Sequence, residues 1–240
     1  WRKDARMFRE ANINYIRTSH YPPAEEFIEA CDELGLFVEE EAPVCWVGHG
    51  ANAAWKERDP EASENGELIV RQTMEMIARD RNHPSVILWS LANESQWNPN
   101  FERSLESVHN IDPTRPTSFH DQAWGAYNNH SSKADVAVYH YPLPSQAAKP
   151  DDNGRPMLFG EYCHLNAYHR REIVTDPGVR DAWGRAIAPM WDAMYAAKGC
   201  LGGAIWSGID DIFLLPDGRQ VGYGSWGPLD GWRRPKPEYW

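Results

Sequence analysis

The sequence predicts an α/β fold of the TIM (β/α)8 type, with seven of the eight barrel strands present in this chain. Three observations carry that expectation. Seven short apolar runs alternate with helical patterns, which calls for a parallel sheet. Several runs are apolar throughout, as in strands covered on both faces. Polar and reactive side chains gather where strands end: Arg17-Thr18-Ser19-His20, Glu40-Glu41, Asn93-Glu94, His120-Asp121, His140-Tyr141, Glu161 and Trp206-Ser207. A barrel displays its chemistry at that rim. A doubly wound nucleotide binder would instead carry a Gly-rich turn after an early strand, and neither GxGxxG nor GxxxxGKS/T occurs.

The elements follow in order. Trp1, Ala5, Phe8 and Ala11 recur at helical spacing, and Asn12–Arg17 reads as a strand. Pro23 opens a second helix with Phe27, Ala30, Cys31 and Leu34 on one face and Gly35 as its stop. Leu36–Glu40 is the next strand. After a loop of small and polar residues, Glu67–Arg81 forms an amphipathic helix. The strand Val86–Leu91, the helix Phe101–Ile111 and short strands at Pro116–Phe119 and Asp135–Tyr139 come next, the last two with little helical cover. Met157–Gly160 is a strand, Val179–Lys198 a long helix and Leu201–Trp206 the last strand. The tail from Ser207 reads as loop. With no linker or repeat inside the chain, residues 1–240 read as one domain. An opening helix and a count of seven place the first strand upstream of residue 1.

Composition narrows the class. A net charge of −11 argues against nucleic acid, which wants a basic face. No apolar run approaches the roughly 18 residues that span a bilayer, so no membrane partner is expected. The start, Trp1-Arg2-Lys3-Asp4, is unlike a signal peptide. Cys31, Cys45, Cys163 and Cys200 form no CxxC pair and read as reduced, mostly buried residues. Twelve Trp exceed what a core of this size needs, and flat rings suit the C–H faces of sugars.

Two strands end in glutamate: His83–Glu94 runs through Trp89-Ser90-Leu91-Ala92-Asn93 to Glu94, and Arg155–Glu161 closes on Glu161. An unpaired buried charge is costly, so neither serves a core. Two carboxylates facing one pocket are the minimum equipment for cutting a glycosidic bond.

The runs Arg17–Pro22, Cys31–Val38, Arg79–Val86, Trp89–Ser95, Gly160–His164, Gly202–Trp206 and Arg234–Pro237 together resemble the catalytic barrel of family 2 glycoside hydrolases, the β-galactosidase and β-glucuronidase family. The resemblance covers nearly the whole chain, in order, and it implies a retaining exo-β-glycosidase. It makes Glu94 the general acid/base, protonated at rest, and Glu161 the ionised nucleophile, with carboxyl groups about 5–5.5 Å apart. It further implies that Arg17 holds the nucleophile, that Asn93 binds the sugar 2-OH and that Tyr141 stands beside Glu161, with Tyr139 close enough to be confused with it. His20 and His164 would contact sugar hydroxyls and Trp206 would be the stacking platform. Cys163 reads as packing, and His49 has no assigned role.

Departures shape the substrate expectation. Magnesium-using β-galactosidases carry Glu-Thr-His where this chain places Cys45 at the glutamate, so neither metal nor other cofactor is expected, since a hard cation wants oxygen ligands. The Asn-x-Lys of β-glucuronidases is missing from Gly224–Gly231. A β-galactoside is therefore favoured over a β-glucuronide, a β-mannoside or another family 2 substrate. A metallohydrolase would need a His-x-His strand, and none occurs. A catalytically silent carbohydrate-binding barrel is the remaining alternative, and the joint presence of Glu94, Glu161 and Arg17 argues against it. The resemblance also implies upstream β-sandwich domains of the same protein as partners. The bacterial cytoplasm or periplasm is the most plausible compartment, and a homo-oligomer is compatible with these features. Without its first strand the chain alone is expected to be poorly stable or inactive, because an unclosed barrel leaves unpaired edges.

Overall fold

The computed structural model describes residues 1–48, 63–124, 132–148, 154–164, 176–222 and 224–236. His49, named above, lies outside the described residues. The order is α1 (Arg2–Glu10), β1 (Tyr15–Arg17), α2 (Glu25–Leu34), β2 (Phe37–Glu41), α3 (Ser63–Asp80), β3 (Val86–Ser90), α4 (Pro99–Ile111), β4 (Thr117–Trp124), β5 (Val136–His140), α5 (Pro144–Ala147), β6 (Met157–Tyr162), α6 (Pro177–Ala196), β7 (Cys200–Ile205), β8 (Ile212–Leu214) and β9 (Gln220–Gly222).

Strands β1 to β7 form one parallel sheet in sequence order. The sheet curls until Cα atoms of β1 and β7 come within 8 Å, so the barrel is nearly closed. At that seam Tyr15 and Ile16 of β1 and the residues of β7 are partly exposed, whereas every residue of β5 and β6 is buried.

Local chemistry explains where elements start and stop. Gly35 ends α2 in the left-handed region (φ 68°), which glycine enters without a Cβ penalty, and a backbone N–H there caps the Cys31 carbonyl. The fourth helix begins before the expected Phe101. The Asn98 side chain accepts from the Asn100 N–H at 2.9 Å, and Pro99 fills the first helical position, where no donor is needed.

Two expectations about segments are corrected. The tail is not all loop: β8 and β9 pair antiparallel, and the turn between them carries Asp217-Gly218, with Gly218 at φ 85° and the Arg219 N–H bonded to Asp217. An Asp-Gly between apolar residues is a hairpin signal that the surrounding Gly and Pro obscured. The cysteines are expected to be mostly buried, but only Cys31 is fully buried and Cys45, Cys163 and Cys200 are partly exposed.

The core has two layers. Outside the barrel, α1 to α4 bury Phe27, Ile28, Ile77, Trp89, Phe101 and Phe119 in one apolar cluster, and α6 packs Met190 and Met194 against Tyr139 and Phe159. Tyr15, Leu88, Val136, Val138 and Leu158 form a separate, smaller cluster. Two positions beyond Tyr15, Leu88 and Val138, on the same strand face, stand Arg17, Ser90 and His140, which belong to the site.

Candidate active site

Strand alternation puts Glu39 and Glu41 on one side of β2 and Glu40 on the other, all fully buried. Buried carboxyl groups demand partners, and each glutamate has them. Arg17 on β1 forks onto Glu41, Nε to Oε2 at 2.8 Å and Nη2 to Oε1 at 3.0 Å. Its remaining donors reach Asn93 Oδ1 at 2.7 Å and Glu161 Oε1 at 2.7 Å. Ser90 donates to Glu41 at 2.9 Å, and His20 Nδ1 lies 2.9 Å from the same carboxylate.

Glu161 is aimed by an irregularity in β6. Tyr139 and His140 are consecutive on β5, yet they oppose Phe159 and Glu161, so Gly160 is an extra residue on β6. A bulge of this kind turns the following side chain and is frequent beside active sites. Gly160 also yields space. A Cβ there would lie 2.3 Å from the His120 ring.

Burial pushes the Glu161 carboxyl up, but the neighbouring His140 ring and the Arg17 guanidinium outweigh it and hold the group below the ordinary carboxylate range. Tyr141 donates its hydroxyl to Glu161 Oε2. Burial and the Glu161 charge both raise the Tyr141 phenol, so it stays a donor.

Glu94 stands just past β3 with Oε2 accepting from the Trp46 indole N–H at 3.0 Å. His140 Nδ1 lies 3.0 Å from Glu94 Oε1 and 3.5 Å from Glu161 Oε2. The two carboxylates and His140 thus offer oxygen and nitrogen atoms all within 4.8 Å of one another. Among the described residues this is the one His/Cys/Asp/Glu group so compact, and its members hydrogen-bond one another, Arg17 and Tyr141. Trp46, Glu94, Tyr141 and Cys163, all near strand ends, have φ between 37° and 60°. That region is disfavoured for residues with a Cβ, and such conformations collect at functional sites.

The aromatic wall follows. His20 stacks on Trp206 with ring centroids 5.2 Å apart and planes 15° apart. His164 sits between Tyr141 (5.5 Å) and Trp226 (4.8 Å).

All eight residues singled out from the sequence therefore lie in one network or in the wall beside it. Tyr139 does not: it is buried in the apolar cluster around Phe159. Cys163 is half-buried against the same cluster, and burial pushes its thiol up to about 12. Sequence reading gave no role to Glu39, Glu41, Trp46, His120, His140 and Trp226. The period-2 pair Glu39/Glu41 and the strand-end histidines were visible signals.

The family model described as glycosyl hydrolases family 2, TIM barrel domain, matches residues 1–170. The chain belongs to this family. A β-galactosidase of Aeromonas hydrophila is 30% identical over 242 residues, covering 93% of this chain and 21% of the relative. One from Thermoanaerobacterium thermosulfurigenes is 44% identical over 118 residues, covering 48% of this chain and 15% of the relative. The family 2 chain thus spans about a fifth of the length of the first of these relatives. Among solved structures, a β-D-glucuronidase of Dictyoglomus thermophilum superposes with a TM-score of 0.72 at 25% identity, covering 98% of this chain and 44% of that one.

Proposed function

We propose that residues 1–240 are the catalytic barrel of a retaining exo-β-glycosidase that removes terminal β-linked sugars, with β-galactosides the first choice. The observation that carries this reading is the pairing of Glu94 and Glu161, whose carboxylate oxygens come within 4.8 Å. Oxygens that near one another support the short carboxyl spacing of retaining enzymes, about 5–5.5 Å, over the 6.5–9.5 Å or so that leaves room for an inverting water.

In this reading Glu161 attacks the anomeric carbon, and its C–O bond forms as the glycosidic C–O bond breaks. Glu94 gives its proton to the departing oxygen. Water then adds to the anomeric carbon, Glu94 takes the water's proton, and Glu161 leaves. Arg17 and Tyr141 keep Glu161 charged and aimed. Asn93, already oriented by Arg17, presents its amide to the 2-OH. His20 and His164 meet other hydroxyls, and Trp206 carries the sugar face. The β-galactoside preference is supported by curated relatives named β-galactosidase. Their greater length supports further domains, β-sandwiches upstream, that complete the pocket.

A panel of 4-nitrophenyl glycosides on the whole protein tests this, with product anomers followed by NMR. Hydrolysis of the β-galactoside with retention is expected, and Glu94→Gln and Glu161→Gln should each abolish it. Preference for the β-glucuronide would move the specificity. Activity surviving both substitutions would overturn the assignment.

A further inference from the structure

We propose that His140 is a positioning residue that shares the catalytic proton with Glu94, held in the required tautomer by a buried chain through His120 to Glu39. The inference rests on the glycosidase reading of Glu94.

Three contacts run in line: Glu39 Oε1 to His120 Nε2 at 2.9 Å, His120 Nδ1 to His140 Nε2 at 2.8 Å, and His140 Nδ1 to Glu94 Oε1 at 3.0 Å. Each needs one proton, and two neutral imidazoles supply two. The polarity is set from the Glu39 end. Ser118 and Tyr15 hydroxyls also point at Glu39, so that carboxylate accepts on both oxygens. Burial pushes Glu39 up, but contact with His120 and the nearby Arg17 charge bring it below the ordinary range. Burial and the Arg17 charge push His120 down and outweigh the pull of Glu39 and Glu41, which favours the neutral ring. His120 therefore donates from Nε2 to Glu39 and accepts at Nδ1. His140 must donate from Nε2, which leaves its Nδ1 bare before Glu94. The third proton then belongs to the His140–Glu94 pair, as carboxylic acid facing imidazole or carboxylate facing imidazolium.

The charged and titratable groups around His140 are His120 on β4, Glu94 beyond β3, Glu161 on β6 and Tyr141 just past its own strand, with Glu39 on β2 reached through His120 and Arg17 on β1 through Glu161. When Glu94 protonates the leaving oxygen, the bare Nδ1 and the carboxylate are left lone pair to lone pair. That repulsion raises the proton demand of Glu94 for the second step, where it takes the proton of the incoming water. Gly160 belongs to the same device, because a side chain there would occupy the His120 ring position.

The experiment compares His140→Asn with wild type in the whole protein, reading kcat/KM against pH for a phenyl and a 2,4-dinitrophenyl glycoside. Dinitrophenolate leaves without acid help. The expected result is a drop of about tenfold or more for the phenyl glycoside and little change for the dinitrophenyl one. The basic limb should move about one pH unit to the acid side, since the lone carboxyl holds its proton less tightly. Equal losses on both substrates, or an unmoved limb, would overturn the proposal. Should the variant fail to fold, neutron diffraction on the unaltered protein decides. It should place hydrogen on Nε2 of His120 and of His140 and one more between His140 and Glu94. A His120 ring donating to His140 would refute it. Absence of any glycoside hydrolysis would instead be a failure of the functional reading.

Discussion

Arg17 and Glu161 stand 144 positions apart in the chain, and their Nη1 and Oε1 atoms meet at 2.7 Å across the barrel. The same guanidinium holds Glu41 and Asn93. Arg17→Met leaves two buried carboxylates without their cation, which costs about 3–5 kcal/mol. Thermal unfolding should show the loss, and adding Glu41→Gln should recover part of it. A single variant as stable as wild type would contradict the geometry.

Tyr141 touches the nucleophile through one hydroxyl. A hydrogen bond to a charged group is worth about 1.5–3 kcal/mol, so Tyr141→Phe should lower kcat/KM roughly 10- to 100-fold. Stability should change little. Steady-state kinetics beside a melting curve separates the two effects.

Gly160→Ala places a methyl 2.3 Å from His120 and 2.8 Å from Val138. Overpacking of this kind costs about 1–3 kcal/mol, with activity falling as Glu161 is displaced. A variant with unchanged melting temperature and rate would refute the close approach.

Gly184 in α6 is the opposite case, with nothing within 4 Å of an added Cβ. Alanine there should stabilise by about 0.5–1 kcal/mol through helix propensity, visible as a raised melting temperature.

Glu40 gives a pH prediction. Burial, then its hydrogen bond with Asp80 and the charge of Asp80, raise its carboxyl, with only Arg79 opposing. The folded protein thus keeps a proton that the unfolded chain releases above about pH 4.3. That contribution is full below this value and is lost as pH rises toward the raised folded value. Glu40→Gln mimics the protonated state. Its melting temperature should fall less than that of wild type between about pH 5 and about pH 8. Parallel curves for the two proteins would rule this out.

The barrel was legible because its signals are local. Period and run length mark strands, and Gly35 and Pro99 punctuate helices. The eight site residues were legible through motif resemblance. What escaped depends on contacts between strands. His120 and His140 looked like two more rim polars, and only the pairing of β4, β5 and β6 shows that they are joined. Gly160 read as an ordinary strand glycine because a bulge is a property of two strands together.

The three glutamates in succession on β2 carry a consequence for assembly. Glu39 and Glu41 find their cation and imidazoles inside the barrel, while Glu40 finds Arg79 and Asp80 on α3 outside. Sliding β2 by one residue would exchange the faces and strand all three acids among the wrong neighbours. The strand is therefore keyed by charge as well as by shape. The groups that tune the reaction also proofread the fold, so substitutions meant to retune the pocket risk loosening the frame that holds it.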